Sequence, residues 1–219
     1  MIASEILSKS IISLKTSDTG EKALTLMNFY GIRHLPVVNN VQLLGLVSEE
    51  DILSHDLGEP LGSYRLSITN PYCHVQDHIF QLIGQMAENK LTVIPVVDDN
   101  ENFKGMITRE DLMNFFAKSF SFTEPGSILI LDINKKDYSL AEIARIVESE
   151  NAAILSVFIS SHEKLEKVYV TIKINSHEAE RINKAFERYN YEVNAFFAKE
   201  KYEDSLDERY NSLILYLNM

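Results

Sequence analysis

Apolar and polar positions alternate between two rhythms along the first half of the chain, and the sequence of rhythms is played twice. Ala23, Leu24, Leu26 and Met27 recur at helical spacing ahead of Gly31, and Ile79, Leu82, Ile83 and Met86 do the same ahead of Lys90. Each stripe is followed by a short run apolar on both faces, Pro36-Val37-Val38 or Pro95-Val96-Val97, then by a polar turn. A second apolar run comes next, Gly45-Leu46-Val47 or Gly105-Met106-Ile107. Runs of this kind predict buried strands, because a strand covered on both faces has no polar side to show. Each copy therefore predicts strand, helix, strand, tight turn, strand, helix, with Ser17 and Asp77 as caps for the two periodic helices.

The two copies keep register. Gly45 and Gly105 lie 60 residues apart, as do Asp51 and Asp111, whereas Pro36 and Pro95 are 59 apart. The extra residue falls in the second polar turn, Asp98-Asp99-Asn100-Glu101-Asn102, where an insertion leaves the flanking strands aligned. One such unit is too small to cover both faces of its sheet, so the two are expected to pack together. Residues 1–57 form the first repeat and 58–122 the second, with 55–67, containing Gly58, Pro60 and Gly62, as the linker.

Beyond Pro125 the pattern changes. Residues 127–133 form an apolar strand-like run, and 139–150 carry Leu140, Ile143, Ile146 and Val147 at helical spacing behind a Ser139 cap. Two strands, 153–161 and 167–174, flank a polar turn. A helix from Ser176 with Ala179, Ile182, Ala185 and Phe186 on one face precedes a final strand over 191–198. The order βαββαβ over 126–198 is the ferredoxin-like arrangement. The tail, 199–219, predicts a connecting segment and a helix with Leu206, Tyr210, Leu213 and Leu217 on one face. The fold class is thus α/β and α+β: tandem βαββα repeats, a ferredoxin-like domain and a C-terminal helix.

Composition narrows the function. The 219 residues hold 21 basic and 32 acidic side chains, a net charge of −11. That balance offers no basic footprint for nucleic acid, although a local pocket for a small anion is compatible with it. One cysteine, Cys73, cannot close an internal disulfide, which fits a reducing, cytoplasmic setting. No apolar run reaches the roughly eighteen residues of a membrane span, and the N-terminus lacks signal-peptide form. No P-loop, Gly-x-Ser-x-Gly or His-Glu-x-x-His sequence occurs, so catalysis, a required cofactor and a metal are not expected. His74 and His78 are four apart but straddle a strand–helix junction, and Cys73 reads as a small buried hydrophobe.

The chemistry concentrates in the repeated Gly-h-h-Ser/Thr-x-x-Asp, where h is apolar. Ser48 and Thr108 stand where a strand gives way to a helix, so each hydroxyl can cap the first turn. Asp51 and Asp111 follow three residues later, and an ionised carboxylate can accept two hydrogen bonds from paired hydroxyls. The same spacing is also a capping box, which needs no ligand, and the two roles can coexist. Arg33 and His34 precede the middle strand of the first repeat, where the second has neutral Thr92 and Val93, so phosphate-facing charge is unequal. Arg109, beside Thr108, is a further phosphate candidate.

Together the repeats, over roughly residues 1–120, resemble tandem CBS domains, the Bateman module. Proteins of that family bind AMP, ADP, ATP or S-adenosylmethionine between the repeats. The resemblance implies that Asp51 and Asp111 hold ribose, that Ser48 and Thr108 lie near ribose or phosphate, and that Arg33, His34 and Arg109 face phosphate. Adenine would rest against residues 11–14 and 72–74. The stretch Leu140-Ala141-Glu142-Ile143-Ala144 is similar to the first helix of ACT domains, with Tyr138 where that family usually has glycine. The whole architecture resembles small CBS proteins of the acetoin-utilisation type. The expectation is a regulatory adenine-nucleotide sensor, not an enzyme, acting as a homodimer on an unknown partner, with the ACT-like domain as dimerisation or relay element. An amino-acid sensor and a structural dimerisation protein with empty sites are the alternatives.

Overall fold

The computed structural model describes residues 1–8, 11–64, 71–161, 166–198 and 214. The chain divides into two compact units, Met1–Phe116 and Ala117–Met219.

In the first unit the repeat is visible as structure. The first copy comprises α1 (Gly20–Tyr30), β1 (His34–Asn39), β2 (Gln42–Ser48) and α2 (Glu49–Leu53). The second comprises β3 (Cys73–His74), α3 (Ile79–Glu88), β4 (Val93–Val97), β5 (Phe103–Thr108) and α4 (Arg109–Ser119). β1 and β2 pair antiparallel with His34 opposite Ser48, and β4 and β5 pair with Val93 opposite Thr108. Both hairpins shift register at the same place, beside Val37 opposite Gly45 and beside Val96 opposite Gly105. The glycine is needed there: Gly105 has φ of 152°, and a Cβ on it would stand 3.3 Å from the Ser8 carbonyl oxygen. The opening strand of the first copy shrinks to one parallel bridge, Leu14 to Val37, whereas β3 pairs in parallel with β4.

A single core joins the copies, with Leu35, Leu46 and Ile52 of the first and Ile94, Met106 and Ile107 of the second fully buried. The hairpins also touch at their turns, where the Phe103 amide donates to the Val41 carbonyl at 2.7 Å. Residues 1–8 also pair with the second copy. Ala3 is buried, its amide donates to the Asp77 carbonyl, and the Ser8 amide donates to that of Met106. Main-chain pairing of this kind has no side-chain rhythm, so this contact cannot be read along the sequence.

Three local expectations change. The caps of α1 and α3 are Thr19 and His78 rather than Ser17 and Asp77. The Asp77 carboxylate is engaged by the His74 amide at 2.8 Å, so it closes the turn after β3 instead. The stretch read as a linker is packed as far as Tyr64: Leu61 and Tyr64 are buried, and the Tyr64 ring stacks on His55 and donates to the Asp56 carbonyl. Its remainder, residues 65–67, lies outside the described residues.

The second unit runs β6 (Ser127–Asn134), α5 (Leu140–Ser149), β7 (Ile154–Ser161), β8 (Lys167–Ile174), α6 (Ala179–Arg188) and β9 (Glu192–Ala198). Its antiparallel sheet has the order β7-β8-β6-β9, the ferredoxin-like topology. Alternate residues of β6, Leu129, Leu131 and Ile133, are buried with Ile143, Ile146 and Val147 of α5 and Ile182 and Phe186 of α6. Ser139 caps α5 through the Glu142 amide. Helix α6 begins three residues after Ser176, whose hydroxyl accepts from the Glu178 amide. The connecting segment and the helix expected for the tail lie outside the described residues, Ile214 excepted.

Candidate functional site

Both Gly-h-h-Ser/Thr-x-x-Asp turns build the same small structure. In the first copy the Ser48 amide and hydroxyl both donate to Asp51 Oδ2, at 2.8 and 2.6 Å, and the Asp51 amide donates to Ser48 Oγ at 3.0 Å. In the second, the Thr108 amide and hydroxyl donate to Asp111 Oδ2 at 2.9 and 2.7 Å, and the Asp111 amide returns a bond of 2.9 Å to Thr108 Oγ1. Each is a capping box at the start of a helix, α2 or α4. The capping role is therefore real in both copies.

The two aspartates nevertheless differ in access. A cleft of about 1230 Å³ opens between the copies, walled by Arg33, His34, Ser48 and Glu49 from one side and Thr92, Thr108, Arg109 and Asp111 from the other. Ile11 also lines it, in one of the two stretches expected to carry adenine; residues 72–74 do not. Asp111 reaches the cleft wall, whereas Asp51, only 8% exposed, does not. Both Thr108 bonds fall on Oδ2 of Asp111, and Oδ1 takes no bond among the described residues. That carboxylate is held in one orientation and still has acceptor capacity for a hydroxyl pair.

The expected phosphate contacts are more engaged than their sequence suggests. Thr92, which aligns with Arg33, ties the two copies across the cleft: its hydroxyl accepts from the Arg33 amide at 2.9 Å. The Thr92 amide donates to His34 Nδ1 at 3.3 Å, and the Thr92 hydroxyl approaches the same nitrogen at 3.0 Å. An Nδ1 that accepts belongs to a neutral imidazole carrying its proton on Nε2. Burial lowers the His34 pKa, helped by the charges of Arg109 and Arg33 and opposed by Asp51. Arg109 donates through Nε to the Leu91 carbonyl at 2.6 Å and through Nη2 to that of Lys90 at 2.9 Å. The exposed Arg33 guanidinium lies 3.6 Å from Glu49. A lone threonine in a neutral position carries no signal, so the Thr92 tie is visible only in three dimensions.

Elsewhere the chemistry is quiet. The buried Cys73 thiol is pushed up to about 12, mainly by burial and then by Asp77. His78 is occupied as the α3 cap. No group of three or more His, Cys, Asp or Glu among the described residues is placed to hold a metal, and no described helix is long and apolar enough to cross a membrane. In the second unit a hollow of about 370 Å³ is lined by Asp132, Glu142, Lys167 and Tyr191. Tyr138 packs against that unit's core and does not line the hollow.

Two paired βαββα copies around one cleft, each closed by a Ser/Thr–Asp box, are the architecture of a CBS pair. The sequence matches the CBS domain family over residues 3–58 and 64–118, and the chain belongs to that family. Among curated proteins it is similar to a homoserine O-acetyltransferase of Methanococcus vannielii, 29% identical over 120 residues. The match covers 52% of this chain and only 24% of that enzyme. Among solved structures it is similar to a CBS domain pair/ACT domain protein of Thermotoga maritima, at 22% identity and a TM-score of 0.49. That match covers 54% of this chain and 98% of the other. An acetoin-utilization-type protein of Vibrio cholerae is 24% identical at a TM-score of 0.49, over 56% of this chain and 95% of its own.

Proposed function

We propose that the CBS pair binds an adenosine-containing ligand in the cleft between its repeats, and that the chain is a regulatory sensor rather than an enzyme. AMP, ADP and ATP are the first candidates. The observation that carries the reading is Asp111: a carboxylate oriented by Thr108, set in the wall of a cleft large enough for a nucleotide, with Oδ1 open to a ribose. Ligand touching both walls would favour the arrangement in which the repeats are closest. Binding would thereby shift the population toward that arrangement. The ferredoxin-like unit then serves as dimerisation or relay element in a cytoplasmic homodimer, passing the state to a partner.

A second reading, amino-acid sensing by the ferredoxin-like unit, is favoured by the hollow beside α5, where the Lys167–Asp132 pair, 2.9 Å apart, would have to open for Lys167 to meet a carboxylate and Asp132 an ammonium. Calorimetric titration of the full chain with AMP, ADP, ATP and S-adenosylmethionine, and separately with the free amino acids, distinguishes the two. Saturable binding of an adenosine ligand supports the first reading. A response to amino acids alone replaces it with the second, and silence toward both leaves a structural protein whose boxes are only caps.

A further inference from the structure

The helix starts that face the cleft are the obvious place to seat phosphate, because free amides and the helix dipole attract anions there. Here three of the first-turn amides at each start already have acceptors, leaving only those of Glu50 and Glu110. At α2 the Ser48, Glu49 and Asp51 amides donate to Asp51 Oδ2, the Arg33 carbonyl and Ser48 Oγ. At α4 the Thr108, Arg109 and Asp111 amides donate to the matching acceptors, with the Thr92 carbonyl in the middle role. Both first turns also carry carboxylates: Glu49, Glu50, Glu110 and Asp111 all line the cleft. Against these four stand three cations, Arg33, Lys90 and Arg109. The Arg109 guanidinium is turned onto two carbonyls and Arg33 is near Glu49, so Lys90 is the cation least engaged among the described residues.

We infer that the cleft imposes a charge ceiling on its ligand: it accepts an adenosine whose 5′ substituent is uncharged, cationic or a single phosphate, and discriminates against di- and triphosphates. The inference rests on the adenosine reading above and narrows it. A monophosphate, carrying about −1.5 to −2 at neutral pH, can be met by Lys90 and a reoriented Arg33. Each added phosphate brings another negative charge toward acidic walls without bringing a new donor. An uncharged thioether or a sulfonium at the same position meets no such opposition, and a sulfonium gains from the four carboxylates.

The test is competition calorimetry of the full chain at fixed ionic strength with 5′-methylthioadenosine, AMP, ADP and ATP, the nucleotides with and without magnesium. The expected result is 5′-methylthioadenosine and AMP within about tenfold of each other, and ATP at least tenfold weaker than AMP. Replacing two wall carboxylates together, Glu49→Gln with Glu110→Gln, is expected to narrow the AMP-to-ATP ratio at least threefold. ATP binding as tightly as AMP overturns the charge ceiling and leaves the adenosine reading standing. Absence of binding by all four overturns the adenosine reading and the ceiling with it.

Discussion

Replacing Asp111 by alanine separates what the second box does for the fold from what it does for a ligand. The substitution removes the acceptor of two hydrogen bonds, one from the Thr108 amide and one from its hydroxyl. The hydroxyl can rotate toward another acceptor; the amide cannot. Because Thr108 is only 7% exposed, its stranded N–H costs about 1–3 kcal/mol. Losing the carboxylate from the first turn of α4 adds about 0.3–1 kcal/mol through the helix dipole. The expected destabilisation is therefore about 2–3 kcal/mol, or a fall of roughly 10 °C in the melting temperature of a unit this size. Asp111→Asn keeps an oxygen for the Thr108 amide, so it should lose only about 1 kcal/mol. Urea unfolding followed by far-UV circular dichroism measures both, the chain having no tryptophan to report by fluorescence. An alanine variant within 0.5 kcal/mol of wild type would refute the claim that the box supports α4.

Three further outcomes follow from the same structure. His34 has a folded-state pKa below its ordinary 6.5, so the folded protein binds fewer protons than the unfolded chain in that region. Its contribution to stability is complete above pH 6.5 and lost as pH falls through the lower folded value. The stability difference between wild type and His34→Gln, measured in urea at stepped pH, should change across that window and be flat above it. Cys73, buried with its pKa pushed up to about 12, should resist an aromatic disulfide reagent at pH 8 in the native protein and react at once in urea. Gly126 has φ of 150°, and a Cβ there would lie 2.0 Å from the Ile174 carbonyl oxygen. Gly126→Ala should therefore cost at least about 2 kcal/mol in thermal unfolding of the second unit.

The repeat was legible because side-chain rhythm and spacing report on burial, and burial decided the hairpins: the 59- and 60-residue offsets reappear as His34 opposite Ser48 and Val93 opposite Thr108. The ferredoxin-like order was legible for the same reason, from alternation in β6 and helical stripes in α5 and α6. What escaped was decided by main-chain geometry. Residues 1–8 pair with the second copy through amide–carbonyl bonds, and Thr19, not Ser17, caps α1 by accepting from the Lys22 amide. At the site, the Ser/Thr–Asp pairs were readable as both box and ribose grip. Their unequal access was not: Asp51 is 8% exposed and stays off the cleft wall, whereas Asp111 lines it. Arg33, His34 and Arg109 do border one cleft, but their partners, Glu49, Thr92 and two carbonyls, could be seen only in three dimensions.

The central claim is that an adenosine ligand occupies the cleft through Asp111. Equilibrium dialysis of AMP against wild type, Asp51→Asn and Asp111→Asn, each first shown to be folded by its urea midpoint, tests it most directly. The account predicts saturable binding by wild type, a loss of at least tenfold in affinity for Asp111→Asn, and a smaller loss for Asp51→Asn, whose carboxylate does not reach the cleft wall. Wild-type affinity in folded Asp111→Asn would contradict it.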